Sequence, residues 1–254
     1  STYWKIVREL RKENGELGVI FVNTFISALL FRLGNVKKNI GYNREGRGFL
    51  LDFSPEINYH KHYINRYAFL FNEYIGNKYV YLPELSLRYT GQKTFQFDNS
   101  HKTIALYLGG ENKEFRKYPD EYAVQLLRLL NRQGYNLLLI GDENDNIKHT
   151  QYAEEARIDH LINLTARTTI EGFINTIANV DLIITIDSSA LHIAAAVKTP
   201  FIALMGLSTS PTSTILPKVP LGRILKIENN LIREEDYIRN ITPDLILKTI
   251  SELI

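Results

Sequence analysis

The sequence predicts an α/β fold in which helices cover parallel, doubly wound sheets. Short runs of apolar, often β-branched residues alternate with segments of helical periodicity along most of the chain. This alternation is typical of such sheets. The longest apolar runs, at 182–186 and 201–205, have the length of buried strands. They fall far short of the ~20 apolar residues that cross a bilayer.

The first third of the chain contains the more widely spaced elements. The pattern predicts strands at 19–22 and 39–42 and helices at 25–33 and 60–75. A basic, glycine-rich loop at 43–48 separates the second strand from the second helix. The polar, aperiodic stretch at 83–102 is typical of a linker between domains.

After the linker the alternation becomes regular. The predicted strands lie at 103–108, 136–140, 161–164, 181–186, 201–205 and 224–227, and the helices at 119–132, 146–157, 189–197 and 243–254, with a further helix beginning at 168. Pro119, followed by Asp120 and Glu121, is typical of a helix start, because proline suits the first turn and acidic residues favour its positive end. Gly134 is a favoured terminator of that helix.

Composition excludes several classes of protein. The 254 residues include 30 Lys and Arg against 28 Asp and Glu, which gives a net charge of +2 and does not indicate a nucleic-acid partner. Cysteine is absent, which excludes a disulfide framework and a thiolate metal site. The first ten residues lack the apolar core of a signal peptide. We therefore expect a soluble, cytoplasmic protein.

The turn after the strand at 181–186 carries the most informative residues. Asp187 ends the strand, and Ser188 and Ser189 begin the next helix. A helix amino terminus offers unpaired N–H groups to phosphate oxygens. His192 lies about one turn further on and could face the same pocket. The simpler alternative is that one serine only caps the helix.

The turn after the strand at 103–108 combines flexibility with positive charge. Gly109 and Gly110 allow close approach of the backbone to a ligand. Lys113, Arg116 and Lys117 follow within a few residues. A fixed cation there would stabilise a departing diphosphate, although the loop could equally be a solvated basic segment.

Two further strand ends carry polar residues. Gly141 is followed by the carboxylates of Asp142, Glu143 and Asp145, which could hold ribose hydroxyls or balance a helix dipole. The segment 163–169 could read the edge of a nucleobase. No phosphate-binding loop motif, dinucleotide fingerprint or zinc-protease motif is present. His60 and His62 have no partner at metal-ligand spacing, so we expect no metal.

These segments together resemble glycosyltransferase family 9, the heptosyltransferases. The matching stretches are Asp187-Ser-Ser-Ala-Leu-His192 with the alanines and Pro200 that follow, Arg116-Lys-Tyr-Pro119, Asn163-Leu-Thr-Ala-Arg-Thr168, and the early stretches 27–30 and 40–51. The last two are similar to the branch of the family that transfers the second heptose. The resemblance covers nearly the whole chain, with its motifs in order.

The resemblance implies a GT-B fold, which has two Rossmann-like domains with parallel sheets and an active site in the cleft between them. It implies a partial acceptor-side domain at 1–95, a nucleotide-sugar domain at 96–240, and a helix at 241–254 that packs back toward the first domain. It also implies metal-independent, inverting transfer from ADP-L-glycero-D-manno-heptose to the lipopolysaccharide inner core.

The resemblance also assigns roles to residues. Arg116 and Asp187 are the expected catalytic residues. The expected nucleotide-sugar contacts are Gly109, Gly110, Lys117, Gly141, Asp145 at the ribose, Thr168 at the adenine, Ser188, Ser189 and His192. Arg44 and Arg47 are expected to bind the acceptor.

Several positions depart from the family pattern. Ser189 stands where the family has glycine, Arg116 where it has lysine, and Leu207 to Pro211 replace the usual G-P-T-x-P. Family members open with a strand and a G-D turn whose aspartate deprotonates the acceptor. No residue of this chain matches it, so we expect the N-terminal domain to be incomplete and the general base to be missing.

The sequence leaves other functions open. They are transfer from another nucleotide sugar, non-catalytic binding of a nucleotide sugar, and an epimerase of the same architecture. The expected partners are the ADP-heptose donor and a lipid-linked inner-core oligosaccharide. We expect a monomer that contacts the inner face of the inner membrane peripherally.

Overall fold

A computed structural model describes residues 2–80, 85–97, 100–206, 216–217, 219–227 and 233–254. The chain forms two compact units, one built from the described residues up to 80 and the other from those after 84. We call them unit 1 and unit 2. The predicted departure from the family's G-P-T-x-P at 207–211 lies outside the described residues.

Unit 1 contains a small parallel sheet and flanking helices. Its elements are α1 (Thr2–Glu13), β1 (Leu17–Ile20), α2 (Phe25–Leu33), β2 (Lys38–Gly41) and α3 (Tyr63–Tyr74), with a 3₁₀ turn at Arg47–Leu50. Strands β1 and β2 pair in parallel. Helix α2 begins after Thr24, whose hydroxyl accepts a hydrogen bond from Ser27 N at 3.4 Å. The predicted bounds of α2 are therefore confirmed.

Unit 2 is a six-stranded parallel sheet with helices packed on it. Its elements are β3 (Thr103–Tyr107), α4 (Asp120–Arg132), β4 (Asn136–Leu139), α5 (Asn146–Ala156), β5 (Leu161–Asn163), α6 (Ile170–Ala178), β6 (Leu182–Ile186), α7 (Ser189–Val197), β7 (Phe201–Leu204), β8 (Gly222–Leu225) and α8 (Pro243–Ile250). Every residue of β3, β4, β6 and β7 is buried. Continuous burial explains why these strands are uniformly apolar.

The strand order of this sheet is β5-β4-β3-β6-β7-β8. The chain therefore starts in the middle of the sheet, builds outward to β5, and returns to add β6 beside β3. This is the doubly wound arrangement that the sequence predicts. The order reverses between β3 and β6, and ligands of such sheets bind at that crevice, outside the carboxyl ends of the strands.

The linker belongs to unit 2, which places the boundary nearer to the amino terminus than the predicted residue 95. The backbone of Gly91 donates to the side chain of Asn175 at 3.2 Å, and Asn175 donates to Thr90 at 2.8 Å. The hydroxyls of Thr94 and Thr176 lie 2.6 Å apart. These bonds fasten the linker to α6, an attachment that aperiodic sequence does not reveal.

The buried side chains of the carboxyl-terminal helix lie in the core of unit 2, and its packing toward unit 1 stays a prediction. Ile246 and Ile250 are fully buried in the same cluster as Leu126 and Leu130 of α4. Just before this helix, Ile241 O accepts a hydrogen bond from the hydroxyl of Tyr118 at 2.8 Å. The apolar face that the sequence shows is therefore used against α4.

Ala166 adopts a left-handed backbone conformation, with φ of +59°. Its side chain is exposed. We expect Ala166→Gly to raise the free energy of unfolding by up to about 1 kcal/mol, because glycine relieves the left-handed strain. Urea unfolding of unit 2 measures this change.

The matched control is Ala194→Gly, inside α7. Glycine in a helix interior costs about 1 kcal/mol, so this variant should shift the urea midpoint in the opposite direction. If Ala166→Gly destabilises unit 2 as much as the control does, the positive φ carries no strain.

Candidate functional site

The crevice between β3 and β6 is bordered by the two turns that the sequence singles out. One runs from Leu108 through Gly110, and the other from Asp187 through Ser189. The first turn packs against the end of β6, directly before the second turn: a Cβ on Gly109 would lie 2.7 Å from Ile186 Cδ1. The structure thus brings the two predicted phosphate-binding turns to one place.

Ser188 is the cap of α7. Its hydroxyl accepts a hydrogen bond from Ala190 N at 3.2 Å and lies 3.0 Å from the hydroxyl of Thr185. The capping alternative therefore describes Ser188. Ser189 follows at the first helical position and is exposed, while Asp187 and His192 are half-buried. The remaining N–H groups of the first turn keep the positive end of the helix available to an anion.

The glycines near the crevice permit close packing between turns of the protein itself. Gly109 has φ of +81°, which favours glycine. A Cβ on Gly110 would lie 2.5 Å from Asn144 O, and one on Gly141 would lie 2.8 Å from Asp145 Oδ2. We predicted close approach to a ligand at Gly109 and Gly110, but at Gly110 the neighbour is backbone of the next turn.

Two of the three cations in the loop after β3 are engaged by carboxylates. Lys113 Nζ lies 3.0 Å from Asp142 Oδ2, and Lys117 Nζ lies 2.8 Å from Asp120 Oδ1. The predicted contact of Lys117 with the donor therefore competes with an intramolecular ion pair. Among the described residues, Arg116 has no hydrogen-bond or ion-pair partner, so no described carboxylate neutralises its charge.

The loop that carries Arg116 extends across the end of β7. Residues Glu111–Arg116 form a 3₁₀ helix, and a Cβ on Gly206 would lie 2.8 Å from Phe115 O. This loop starts beside Ile186 and ends beside the strand next to β6. The cation at 116 is therefore carried by a segment that crosses the crevice side of the sheet.

Asp120, at the start of α4, forms ion pairs with two lysines, Lys117 and Lys148. Its carboxylate accepts hydrogen bonds from Tyr152 Oη at 2.5 Å and Lys148 Nζ at 3.1 Å, in addition to the pair with Lys117. Burial raises the pKa of Asp120, but the hydrogen bonds from Lys117, Tyr152 and Lys148 outweigh it and lower the pKa to about 2. This ion cluster fixes the loop after β3 to the body of unit 2.

In the acidic turn after β4, the accessible carboxylate is that of Asp142, whereas the prediction places Asp145 at the ligand. Asp145 is fully buried, and its Oδ2 accepts a hydrogen bond from Asp142 N at 3.0 Å. Asp142 in turn accepts from Asn144 N at 2.8 Å, which completes a capping box. Asp145 therefore holds the turn through Oδ2, while its buried Oδ1 has no partner among the described residues, and its contact with the ribose stays a prediction. The side chain of Asp142 is 47% exposed, and it is the carboxylate of this pair that a ligand can reach.

A buried histidine that the sequence does not single out lies beside this turn. His149 is fully buried, and its Nδ1 is 2.8 Å from the hydroxyl of Thr165. Burial lowers the pKa of His149 to about 4, against a smaller opposing effect of the Asp142 carboxylate, so the imidazole is neutral at pH 7. Thr168, which the resemblance places at the adenine, is half-buried three residues beyond Thr165.

In unit 1 the two arginines of the basic loop differ in the exposure of their side chains. Arg44 is exposed, with its guanidinium carbon 5.4 Å from the centre of the Tyr59 ring. Arg47 is fully buried. Its guanidinium donates to the carbonyls of Val22, Thr24 and Tyr42 and to the side chains of Asn23 and Ser27.

Arg47 is thus buried in this structure, and its predicted role at the acceptor stays a prediction. Its guanidinium orders the loop between β1 and α2 through the hydrogen bonds that it donates to that loop. Burial lowers the pKa of Arg47, against the opposing effect of Glu45. Only Arg44 of the predicted pair presents its charge at the surface.

Within the described residues, no three His, Cys, Asp or Glu side chains converge in a way that could hold a metal ion. In that same part of the chain, no helix is long and apolar enough to cross a bilayer.

Comparisons with known proteins agree with this architecture. The model of glycosyltransferase family 9 (heptosyltransferase) matches residues 3–235. The chain is 26% identical over 280 residues to lipooligosaccharide heptosyltransferase 2 of Haemophilus influenzae, covering 100% of this chain and 80% of that protein.

Solved structures show the same fold. The ADP-heptose lipopolysaccharide heptosyltransferase II of E. coli aligns with a TM-score of 0.82 at 22% identity, over 99% of this chain and 80% of that one. An E. coli heptosyltransferase with ADP-2-deoxy-2-fluoro heptose aligns with a TM-score of 0.73 at 16% identity, over 97% and 76%. The predicted GT-B fold is confirmed, with two strands in the sheet of unit 1. The chain belongs to glycosyltransferase family 9, and it is a glycosyltransferase.

The burial of Arg47 generates a testable contrast with Arg44. We expect Arg47→Met to lower the free energy of unfolding by about 3 kcal/mol or more, because it leaves several buried carbonyls without a donor. Arg44→Gln should stay within about 0.5 kcal/mol of the wild type. Urea unfolding of both variants measures the contrast. Equal stability of the two variants would show that Arg47 is not the structural residue described above.

Proposed function

We propose that this family 9 glycosyltransferase transfers heptose, with inversion, from ADP-L-glycero-D-manno-heptose to a lipid-linked inner-core oligosaccharide of lipopolysaccharide. The supporting observation is the crevice between β3 and β6, where the amino end of α7 and the loop carrying Arg116 meet the same strand ends. A diphosphate suits this place because both features offer positive charge.

The relatives support the choice of donor and acceptor. One solved relative from E. coli is named as an ADP-heptose lipopolysaccharide heptosyltransferase, and a second E. coli heptosyltransferase holds a fluorinated ADP-heptose. The curated relative from Haemophilus influenzae is named for lipooligosaccharide. Since the acceptor would be lipid-linked, we place the reaction at the inner face of the inner membrane.

In the proposed reaction an acceptor hydroxyl oxygen attacks the anomeric carbon of the heptose from the side opposite the diphosphate. The new C–O bond forms as the bond to the diphosphate breaks, and ADP leaves with the electron pair. Arg116 and the N–H groups of α7 stabilise the negative charge that develops on the leaving group. The hydroxyl proton passes to a general base, a role that we assign to no residue of this chain.

The remaining residues take binding roles in this proposal. Asp187 and His192, at the start of α7, contact the heptose and phosphates. Asp142 takes the ribose hydroxyls in place of the buried Asp145, and Thr168 borders the adenine. No metal is required, since Arg116 and the helix terminus supply the positive charge that a metal ion would provide. Arg44 binds the anionic acceptor.

One observation favours a second candidate, transfer from a different nucleotide sugar. Ser189 stands at the first position of α7 and is exposed, where the family has glycine. Its hydroxyl adds a hydrogen-bonding group and bulk at the place that would hold the donor phosphates. Comparing ADP with UDP and GDP separates the two candidates.

We expect the chain to bind ADP more tightly than UDP or GDP in titration calorimetry. Arg116→Ala should weaken ADP binding roughly 10- to 100-fold, because it removes a charge-assisted contact with the diphosphate. The ADP affinity of Arg116→Lys should fall between those of the wild type and Arg116→Ala, since lysine keeps the charge but lacks the planar guanidinium that binds a phosphate through two N–H groups.

The control is Arg132→Ala, which removes the same charge from the exposed last turn of α4, at the opposite end of that helix. It should leave the ADP affinity within about twofold, because a distant exposed charge is screened. Equal affinity of the Arg116→Ala variant and the wild type would overturn the proposed diphosphate site. A preference for UDP or GDP would favour the second candidate.

A further inference from the structure

We propose that His149 is a positioning residue for the donor nucleotide, which fixes the Thr165–Thr168 turn so that this turn can recognise the nucleobase. This inference rests on the proposed function, because it assumes that a nucleotide binds at the carboxyl edge of unit 2. Nothing in the family resemblance points to this residue.

His149 makes one hydrogen bond with the described residues, and that bond goes to the turn. Nδ1 lies 2.8 Å from Thr165 Oγ1, while Nε2 is buried and has no partner among the described residues. A polar ring with one nitrogen unpartnered is a poor choice for stability alone, since an apolar ring of the same shape would avoid that desolvation cost. The bond to Thr165 is therefore the feature that a histidine provides here.

The turn that receives this bond is otherwise held by its own neighbours. Thr165 N donates to Asn163 Oδ1 at 3.0 Å, and Ala166 N donates to Gly141 O at 3.1 Å. These bonds fix the backbone at its start. The hydroxyl of Thr165 is the point at which the side chain of another element, α5, reaches the turn. Thr165 is itself 1% exposed, so the bond to His149 is protected from water.

The imidazole also contacts the aromatic side chain that joins the neighbouring turns. Its ring centroid lies 6.4 Å from that of Tyr107, at an interplanar angle of 86°. Tyr107 ends β3, and its hydroxyl lies 3.4 Å from Asp142 Oδ2. His149 therefore lies where the turns after β3, β4 and β5 come together. A change in its position would be transmitted to the part of the crevice proposed for the nucleoside.

The imidazole of His149 is neutral, which is compatible with a permanent hydrogen bond to Thr165. The groups that face it are the Asp142 carboxylate and the rings of Tyr107 and Tyr152. Burial dominates and keeps the pKa of His149 near 4. The ring is thus neutral at pH 7, where it shares one hydrogen bond with Thr165.

The test compares ADP with inorganic pyrophosphate in titration calorimetry on the full chain. Pyrophosphate engages only the diphosphate site, whereas ADP also engages the turn that His149 is proposed to fix. We expect His149→Phe, which keeps a ring without the hydrogen bond, to weaken ADP binding about tenfold and to leave pyrophosphate binding unchanged. His149→Asn places an amide near the former Nδ1 position and should restore ADP binding to within about threefold.

The control is Tyr152→Phe on the same helix, which loses the 2.5 Å hydrogen bond to Asp120 but does not touch Thr165. It should leave the ratio of the ADP and pyrophosphate affinities unchanged, and melting temperatures of all variants report folding. Unchanged ADP binding by His149→Phe would overturn the inference, as would an equal loss for ADP and pyrophosphate. A wild-type chain that binds neither ligand would overturn the proposed function as well.

Discussion

The site depends on the close contact between turns at the carboxyl edge of the unit 2 sheet. Reversal of the strand order between β3 and β6 opens a crevice there. Gly109 and Gly110 allow this close packing, because a side chain at either position would collide with Ile186 or with the backbone at 144–145. Any larger residue would push the loop that carries Arg116 away from the start of α7.

Ion pairs within unit 2 determine which positive charges remain to face a ligand. The loop after β3 is rich in lysine, yet Lys113 and Lys117 are paired with carboxylates that belong to α4 and to the turn after β4. These pairs hold the loop in place. They leave Arg116, together with the amino end of α7, as the positive features that meet the crevice in the described part of the chain. A nucleoside diphosphate is the kind of ligand that fits such a pair of features.

The sequence predicts the elements well because their signals are local. Helix α7 lies at its predicted bounds, and the buried strands show as continuous apolar runs. The sequence cannot show which polar residue is buried, because burial depends on contacts with distant segments. Arg47 is enclosed by carbonyls from 22–24, Asp145 is covered by Gly110, and the linker is fastened to α6. The burial of His149 cannot be predicted from the sequence for the same reason, since its partner Thr165 lies 16 residues away.

The central claim is that a diphosphate lies between the start of α7 and Arg116, and a crystal structure of the chain with ADP tests it most directly. We expect the phosphates to accept hydrogen bonds from the backbone N–H groups at Ser189 and Leu191, with the guanidinium of Arg116 on the opposite side. ADP bound elsewhere, or a diphosphate that touches neither feature, would contradict it.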